Sequence, residues 1–284
     1  MPDLRCSRNL LSALVIGCAA VSLTACDVVI NSMDGEFGGG RFKQEKTYAK
    51  TFTVNPQGAI LEVANTNGKI EVEAVDGNVI DVKATITVKG NSEEAAREAL
   101  KQVEIREDAS PARVRLESKQ PRMRNSVEIR YTLRVPRSVK VDVRNTNGAI
   151  ELSNLQGGVR AETTNGGVKG RGLLGAVEAS ATNGGLDIQM AGLAADGVRL
   201  ETTNGGITLG LPGTAKATLS ARCVNGGISV TDLAFEKDGE NSRRHVEGKI
   251  NGGGAPLKVE TVNGGVRIKL AQGDASGSSK PGGE

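Results

Sequence analysis

Thr202-Thr203-Asn204-Gly205-Gly206-Ile207-Thr208-Leu209 is one copy of a pattern that runs through most of the chain. Its Asn-Gly pair returns at Asn67, Asn147, Asn165, Asn183, Asn204, Asn225 and Asn263. From Asn147 onward the steps are 18, 18, 21, 21 and then 38 residues, the last reading as two repeats with extra loop. Aligned on the asparagine, the places six and four before it are apolar, as in Val198 and Leu200. So are the places three and five after it, as in Ile207 and Leu209, with Gly170 the one exception. Residues such as Glu178, Arg199, Lys169 and Asp187 fill the interleaved places. Alternation with period two on both sides of a fixed asparagine spells strand, corner, strand. Asn and Gly tolerate positive φ at little cost, which suits them to the corner. A second glycine follows in five of the seven copies, which argues that bulk is excluded there too.

Two folds satisfy this pattern. Asn-Gly is a strong hairpin signal, so an antiparallel β meander or sandwich is the alternative. A parallel β-solenoid instead stacks equivalent residues about 4.8 Å apart, so that side-chain amides can bond along a ladder. Hairpins give no reason for Thr66, Thr146, Thr164, Thr182 and Thr203 to recur just before the asparagine, whereas stacking does. The expectation is therefore an all-β protein with one small helix: a parallel β-solenoid over 141–270, with the seven asparagines as a structural corner ladder. Only 2% of residues are aromatic, so Val, Ile, Leu and Ala must fill the core.

Between Asn67 and Asn147 the sequence changes character. Val79 to Val88, Val114 to Glu117 and Val127 to Val135 alternate as strands, and 91–105 reads as a helix capped by Asn91 with Glu94 three places on. Residues 47–140 are thus expected to form an N-terminal β-rich lobe continuous with the repeats. From Arg97 to Arg144 there are 13 Lys/Arg against 7 Asp/Glu, and Lys119, Arg122 and Arg124 form a candidate basic patch in a loop. Such a patch suits anionic lipid or an acidic polymer, although charge runs most often only solvate a strand. The whole chain carries a formal charge of +3, too little for a dedicated nucleic-acid binder.

Residues 1–25 read as an export signal: Arg5 and Arg8, then an apolar run from Leu10 to Leu23, too short to span a bilayer permanently. Leu23-Thr24-Ala25-Cys26 resembles the bacterial lipobox. That resemblance implies cleavage between Ala25 and Cys26 and a diacylglycerol on the Cys26 thiol, so the membrane is the first expected partner. Asp27 resembles a sorting residue for retention at the inner membrane, implying the periplasmic face of that membrane. Residues 26–46 then read as a flexible tether and 271–284 as a disordered Gly/Ser-rich tail.

Catalytic chemistry is hard to find. His245 is the single histidine, and with the leader removed Cys223 is the single thiol besides Cys26. A metal site would need carboxylates almost alone. No cofactor motif appears; the Asn-Gly-Gly corners lack the helix and lysine of a phosphate loop. Outward carboxylates such as Glu162 with Glu178, or Glu71 with Glu151, keep a polysaccharide-acting enzyme as one alternative. A self-assembling structural envelope protein is another.

The repeat T-x-N-G-G-[IV]-x-[IL], with the segment from Leu257 to Gly265, resembles a bacterial domain-of-unknown-function family described as putative adhesins, over about Lys50 to Leu270. The resemblance implies a β-helical, non-catalytic protein of the cell envelope, an adhesin-like binding or scaffold module for an envelope protein or polysaccharide. It supplies no functional residues.

Overall fold

The computed structural model describes residues 30–31, 42–120 and 126–271. The repeats are stacked, not folded as hairpins. Each Asn-Gly corner carries the chain from one sheet to the other, and each sheet has eleven strands. The Asn165 rung, Val159–Asn165 with Val168–Leu173, lies parallel to the Asn183 rung, Val177–Asn183 with Leu186–Met190. Register is residue for residue: Val159 faces Val177, Ala161 faces Ala179 and Asn165 faces Asn183. The residues six and four before the asparagine and three and five after it point inward, so the two sheets enclose an aliphatic layer. Its largest fully buried side chain among the described residues is Tyr131, whose hydroxyl lies 2.8 Å from Ser118 Oγ. Burial pushes the Tyr131 phenol up to about 12.

The stack does not follow the chain. The Asn204 rung, Val198–Asn204 with Ile207–Leu211, pairs with the Asn263 rung, Ala255–Asn263 with Val266–Leu270. The Asn225 rung, Ala217–Asn225 with Ile228–Thr231, lies outside that one. From Leu211 the chain therefore steps over one place, forms a hairpin from Phe235–Lys237 and His245–Ile250, and returns to fill the gap. The 38-residue step is this detour and not two further repeats in line.

The other end uses the same device. Ile60–Asn67 and Ile70–Val75, the Asn67 rung, stack directly on the Asn147 rung, Lys140–Asn147 with Ile150–Ser153. Outside them lies a rung without Asn-Gly, Arg113–Lys119 with Ser126–Pro136. Residues 60–75 and 113–136, in the N-terminal β-rich lobe expected to be continuous with the repeats, are themselves rungs of the stack. Antiparallel strands close this end: Val79–Gly90 on Ser126–Pro136, Phe42–Thr53 beyond it, and Glu104–Ser110 on Arg113–Lys119. Such strands, charged as in Glu104–Ser110, blunt a sheet edge.

Two sequence boundaries move. Residues 42–46, expected in the tether, belong to the strand Phe42–Thr53, and Ile30–Asn31 pair with Lys46 and Glu45. The helix spans Glu93–Lys101 and not 91–105. Ser92, not Asn91, is its cap: Ser92 is extended and its Oγ accepts from the Ala95 amide at 3.1 Å. Ala96, Ala99 and Leu100 bury against the strands 79–90 and 42–53. Among the described residues no helix is long and apolar enough to cross a membrane.

Candidate binding face

The corner is held by two ladders. In the first, each asparagine amide donates to the asparagine carbonyl of the preceding rung in the stack. The bonds are Asn147 to Asn67 (2.6 Å), Asn165 to Asn147 (2.8 Å), Asn183 to Asn165 (2.9 Å) and Asn204 to Asn183 (2.9 Å). They continue from Asn263 to Asn204 (2.7 Å) and from Asn225 to Asn263 (2.8 Å). Every amide points the same way, and the series ends where Asn67 Nδ2 donates to Gln120 Oε1 at 3.1 Å in the rung that lacks Asn-Gly.

The second ladder lies one place deeper. Two residues before five of the seven asparagines, a buried donor reaches a corner carbonyl on the neighbouring rung. Asn145 Nδ2 donates to Gly68 O (2.7 Å), Thr202 Oγ1 to Gly184 O (2.8 Å), Thr261 Oγ1 to Gly205 O (3.0 Å) and Cys223 Sγ to Gly264 O (3.3 Å). Ala181 alone in this column has no donor. This role was missed in the sequence, although a signal was there: the place has the inward parity of the aliphatic positions yet holds Asn, Thr or Cys. Cys223 is accordingly a buried structural donor.

The first corner glycine is obligatory. At Gly184, φ is +158° and an added Cβ would lie 1.9 Å from the Gly166 carbonyl oxygen of the next rung. The second glycine is under less constraint: Lys69 and Ala149 stand there in two rungs. Bulk is therefore not excluded at that place as it is at the first.

Beside this corner, on the outer face of the sheet that leads into it, the stack makes a repeating surface. Thr66, Thr146, Thr164, Thr182 and Thr203 form an exposed stripe, one per rung, continued by Val262 (40% exposed) and Val224 (55%). The next outward column carries Arg144, Glu162, Ser180, Glu201, Glu260 and Arg222 in stack order. Between the columns lie two open grooves, of about 440 Å³ along Thr66 to Thr182 and about 480 Å³ along Thr182 to Val224; Thr163, Ser180 and Thr182 line both, so they form one trough.

Of its charged rim, Arg144, Glu162, Glu201 and Glu260 are paired within the protein. Arg160 binds Glu162 at 2.6 Å and Glu178 at 3.4 Å, and the hydrogen bond to Glu162 holds the guanidinium above its ordinary value. Arg144 reaches Glu162 at 3.6 Å, Arg199 binds Glu201 at 2.6 Å, and Lys258 binds Glu260 at 3.3 Å. On the other sheet Lys69 bridges Glu71 and Glu151, which holds its ammonium above the usual value through hydrogen bonds to Glu151 first and Glu71 second. The two carboxylate pairs singled out in the sequence are therefore divided by cations. Where carboxyl groups are displaced, at Glu45, Asp76 and Asp187, the direction is downward, opposite to that of a general acid poised at neutral pH.

Lys119 ends the strand Arg113–Lys119 in the outermost rung, while Arg122 and Arg124 lie outside the described residues. So do Ala25, Cys26 and Asp27. His245 sits in the terminal hairpin, its Nε2 3.3 Å from Glu247. Among the described residues no three His, Cys, Asp or Glu side chains cluster as metal ligands.

Residues 125–269 match the model of the Toastrack DUF4097 family. The chain belongs to that family. Solved structures with a similar course include a putative cell adhesion protein from Clostridium sporogenes, at 15% identity and a TM-score of 0.46 over 79% of this chain and 99% of that one. A putative adhesin from Bacteroides fragilis follows, at 13% identity and a TM-score of 0.32 over 79% and 96%. A putative adhesin from Parabacteroides merdae has 11% identity and a TM-score of 0.26 over 79% and 96%. No curated protein shows significant similarity. In this Toastrack chain the family match takes in the strand Ser126–Pro136 and the rungs of Asn147, Asn165, Asn183, Asn204, Asn225 and Asn263 up to residue 269.

Proposed function

We propose that the protein is a non-catalytic, adhesin-like binding module of the bacterial cell envelope, tethered by lipid on Cys26 and facing the periplasm from the inner membrane. The observation that carries the binding reading is the trough along the Thr stripe, a polar surface repeated at each rung, with the rim charges of Glu162 and Glu201 paired within the protein. Hydroxyls and methyls on a fixed lattice can recognise an extended envelope protein or polysaccharide without any group poised for bond breaking. Lipidation at Cys26 would hold that face near its target. Ala25 and Cys26 carry the processing, and Asp27 the sorting.

The test has two parts. Metabolic labelling with a clickable fatty acid should mark the wild-type chain and not a Cys26→Ala variant; equal labelling removes the anchor. A soluble form lacking residues 1–26 should enrich a partner from envelope extracts, and Thr164→Lys/Thr182→Lys should lose that partner while keeping the fold. Retention by the double variant removes the trough, whereas loss on reversing Lys119, Arg122 and Arg124 moves the contact to the basic loop.

A further inference from the structure

The seven Asn-Gly corners are chemically alike, but one lacks a backbone hydrogen bond that the other six make. At six of them the glycine N–H after the asparagine donates to the asparagine backbone carbonyl of the following rung. The pairs are Gly68 to Asn147, Gly148 to Asn165, Gly166 to Asn183, Gly184 to Asn204, Gly205 to Asn263 and Gly264 to Asn225, all at 2.8–3.0 Å. Gly226 has no rung beyond it. A loop crosses this end of the corner, but Arg244 O takes the Cys223 N–H and Arg243 O takes the Ile228 N–H, both flanking Gly226. Among the described residues the Gly226 N–H meets no acceptor, and Asn225 and Gly226 are both exposed. Exposure alone does not set this corner apart, since Asn147, Asn165, Asn183, Asn204 and Asn263 are exposed as well. The missing hydrogen bond does.

That nitrogen is the nucleophile of a reaction every Asn-Gly sequence can undergo, because glycine has no Cβ to hinder its approach. The Gly226 backbone nitrogen attacks Asn225 Cγ and gives up its proton. The Cγ–Nδ2 bond breaks, and Nδ2 departs with that proton as ammonia, leaving a five-membered succinimide. Water then opens the ring at either carbonyl, to aspartate or to isoaspartate. Water is the only co-reactant, and nothing is oxidised or reduced. At the other six corners the nitrogen is tied to the next rung, so attack must wait for local opening of the stack. Opening is cheapest at the ends of a structure.

We propose that Asn225 is a site of spontaneous deamidation, selected from the seven Asn-Gly corners by its place at the end of the stack; the eighth Asn-Gly sequence, Asn251-Gly252, lies in a turn outside the ladder. The consequence is directional. A carboxylate at 225 cannot donate to Asn263 Oδ1, so the last bond of the asparagine ladder is lost. Isoaspartate also inserts a methylene into the backbone at a corner where an added atom on Gly226 would already lie 2.1 Å from Gly264 O. The modification therefore loosens the terminal rung, Ala217–Asn225 with Ile228–Thr231, and leaves the inner rungs intact.

The experiment is peptide mapping of the purified full chain, aged in its folded state at mildly alkaline pH, with fragmentation that separates aspartate from isoaspartate. Losing one hydrogen bond and the cooperative cover of a rung predicts conversion at Asn225 at least ~10-fold faster than at any other corner. The same chain aged in urea supplies the internal reference, where all seven corners should react at similar rates. Folded-state conversion that is uniform, fastest at another corner, or undetectable at Asn225 while the urea sample reacts would overturn the proposal.

Discussion

Asn263 donates its side-chain amide to Asn204 at 2.7 Å across 59 residues of sequence, in the place where chain order would have put Asn225. The rung carrying Asn263 is thus held on both faces by rungs made earlier in the chain, Asn204 on one side and Asn225 on the other. Leu257, Val259, Val266 and Ile268 fill the core between them. Folding at this end cannot be completed until the last described repeat arrives.

Removal of residues 255–284 should therefore expose a slot and not merely shorten the rod. Each of those four aliphatic side chains contributes about 1.5–3 kcal/mol of burial. The truncated chain should lose its cooperative thermal transition at the C-terminal end, and an added peptide spanning residues 255–271 should restore it. A truncated chain as stable as the full one would show that the rung is dispensable.

Gly184→Ala should be severely destabilising. Its Cβ would fall 1.9 Å from Gly166 O at a positive φ that alanine disfavours, for a cost of roughly 3 kcal/mol or more. Gly185→Ala, with its nearest contact at 3.1 Å to Gly206 O, should cost less than about 1 kcal/mol, since Ala149 already stands at the equivalent place. Chemical denaturation of the pair checks the contrast, and equal effects would contradict close stacking at the first glycine.

Ala181→Thr should stabilise the protein. Thr163 and Thr202, in the rungs on either side, donate to the carbonyls of Gly148 and Gly184, and Ala181 leaves the Gly166 carbonyl without the matching bond. Supplying it should add about 1 kcal/mol and raise the thermal midpoint. A fall in the midpoint would mean that the column has no room for the larger side chain.

The alternation of inward and outward residues, the corners and the aliphatic core were legible in the sequence because each is a local, periodic signal. The order of rungs was not. Every rung presents the same parity and the same corner, so Asn204 pairs as well with Asn263 as with Asn225, and only the long excursion through Phe235 to Ile250 decides. The ladder through Thr202, Thr261 and Cys223 was passed over because each residue is small and unremarkable alone; its meaning lies in the neighbouring rung. Asn91 and Ser92 are both good caps, and one residue of register separated them. Cys26, Arg122 and Arg124 lie outside the described residues.

Acid should expose one ion pair. The Arg171 guanidinium, 2.6 Å from Asp187, holds that carboxyl below its ordinary 3.8, against the opposing effect of partial burial. A carboxyl depressed in the folded state lends stability that is full above its unfolded value and is lost as pH falls through the folded one. Wild type should therefore exceed Asp187→Asn in thermal midpoint near neutrality, and the gap should close below about pH 4. A gap that widens on acidification would contradict this pairing.

The order of the stack is open to direct measurement by disulfide trapping in a Cys223→Ser background. Thr203 and Val262 are outward neighbours on adjacent rungs, as are Val262 and Val224, whereas Thr203 and Val224 are separated by a full rung. Adjacent rungs place Cα atoms about 4.8 Å apart, within disulfide reach, and a two-rung gap of about 9.6 Å exceeds it. Cysteines at 203 and 262 should cross-link rapidly under mild oxidation, and cysteines at 203 and 224 should not. The reverse result, a bond between 203 and 224 with none between 203 and 262, would contradict the inserted rung and the stack built on it.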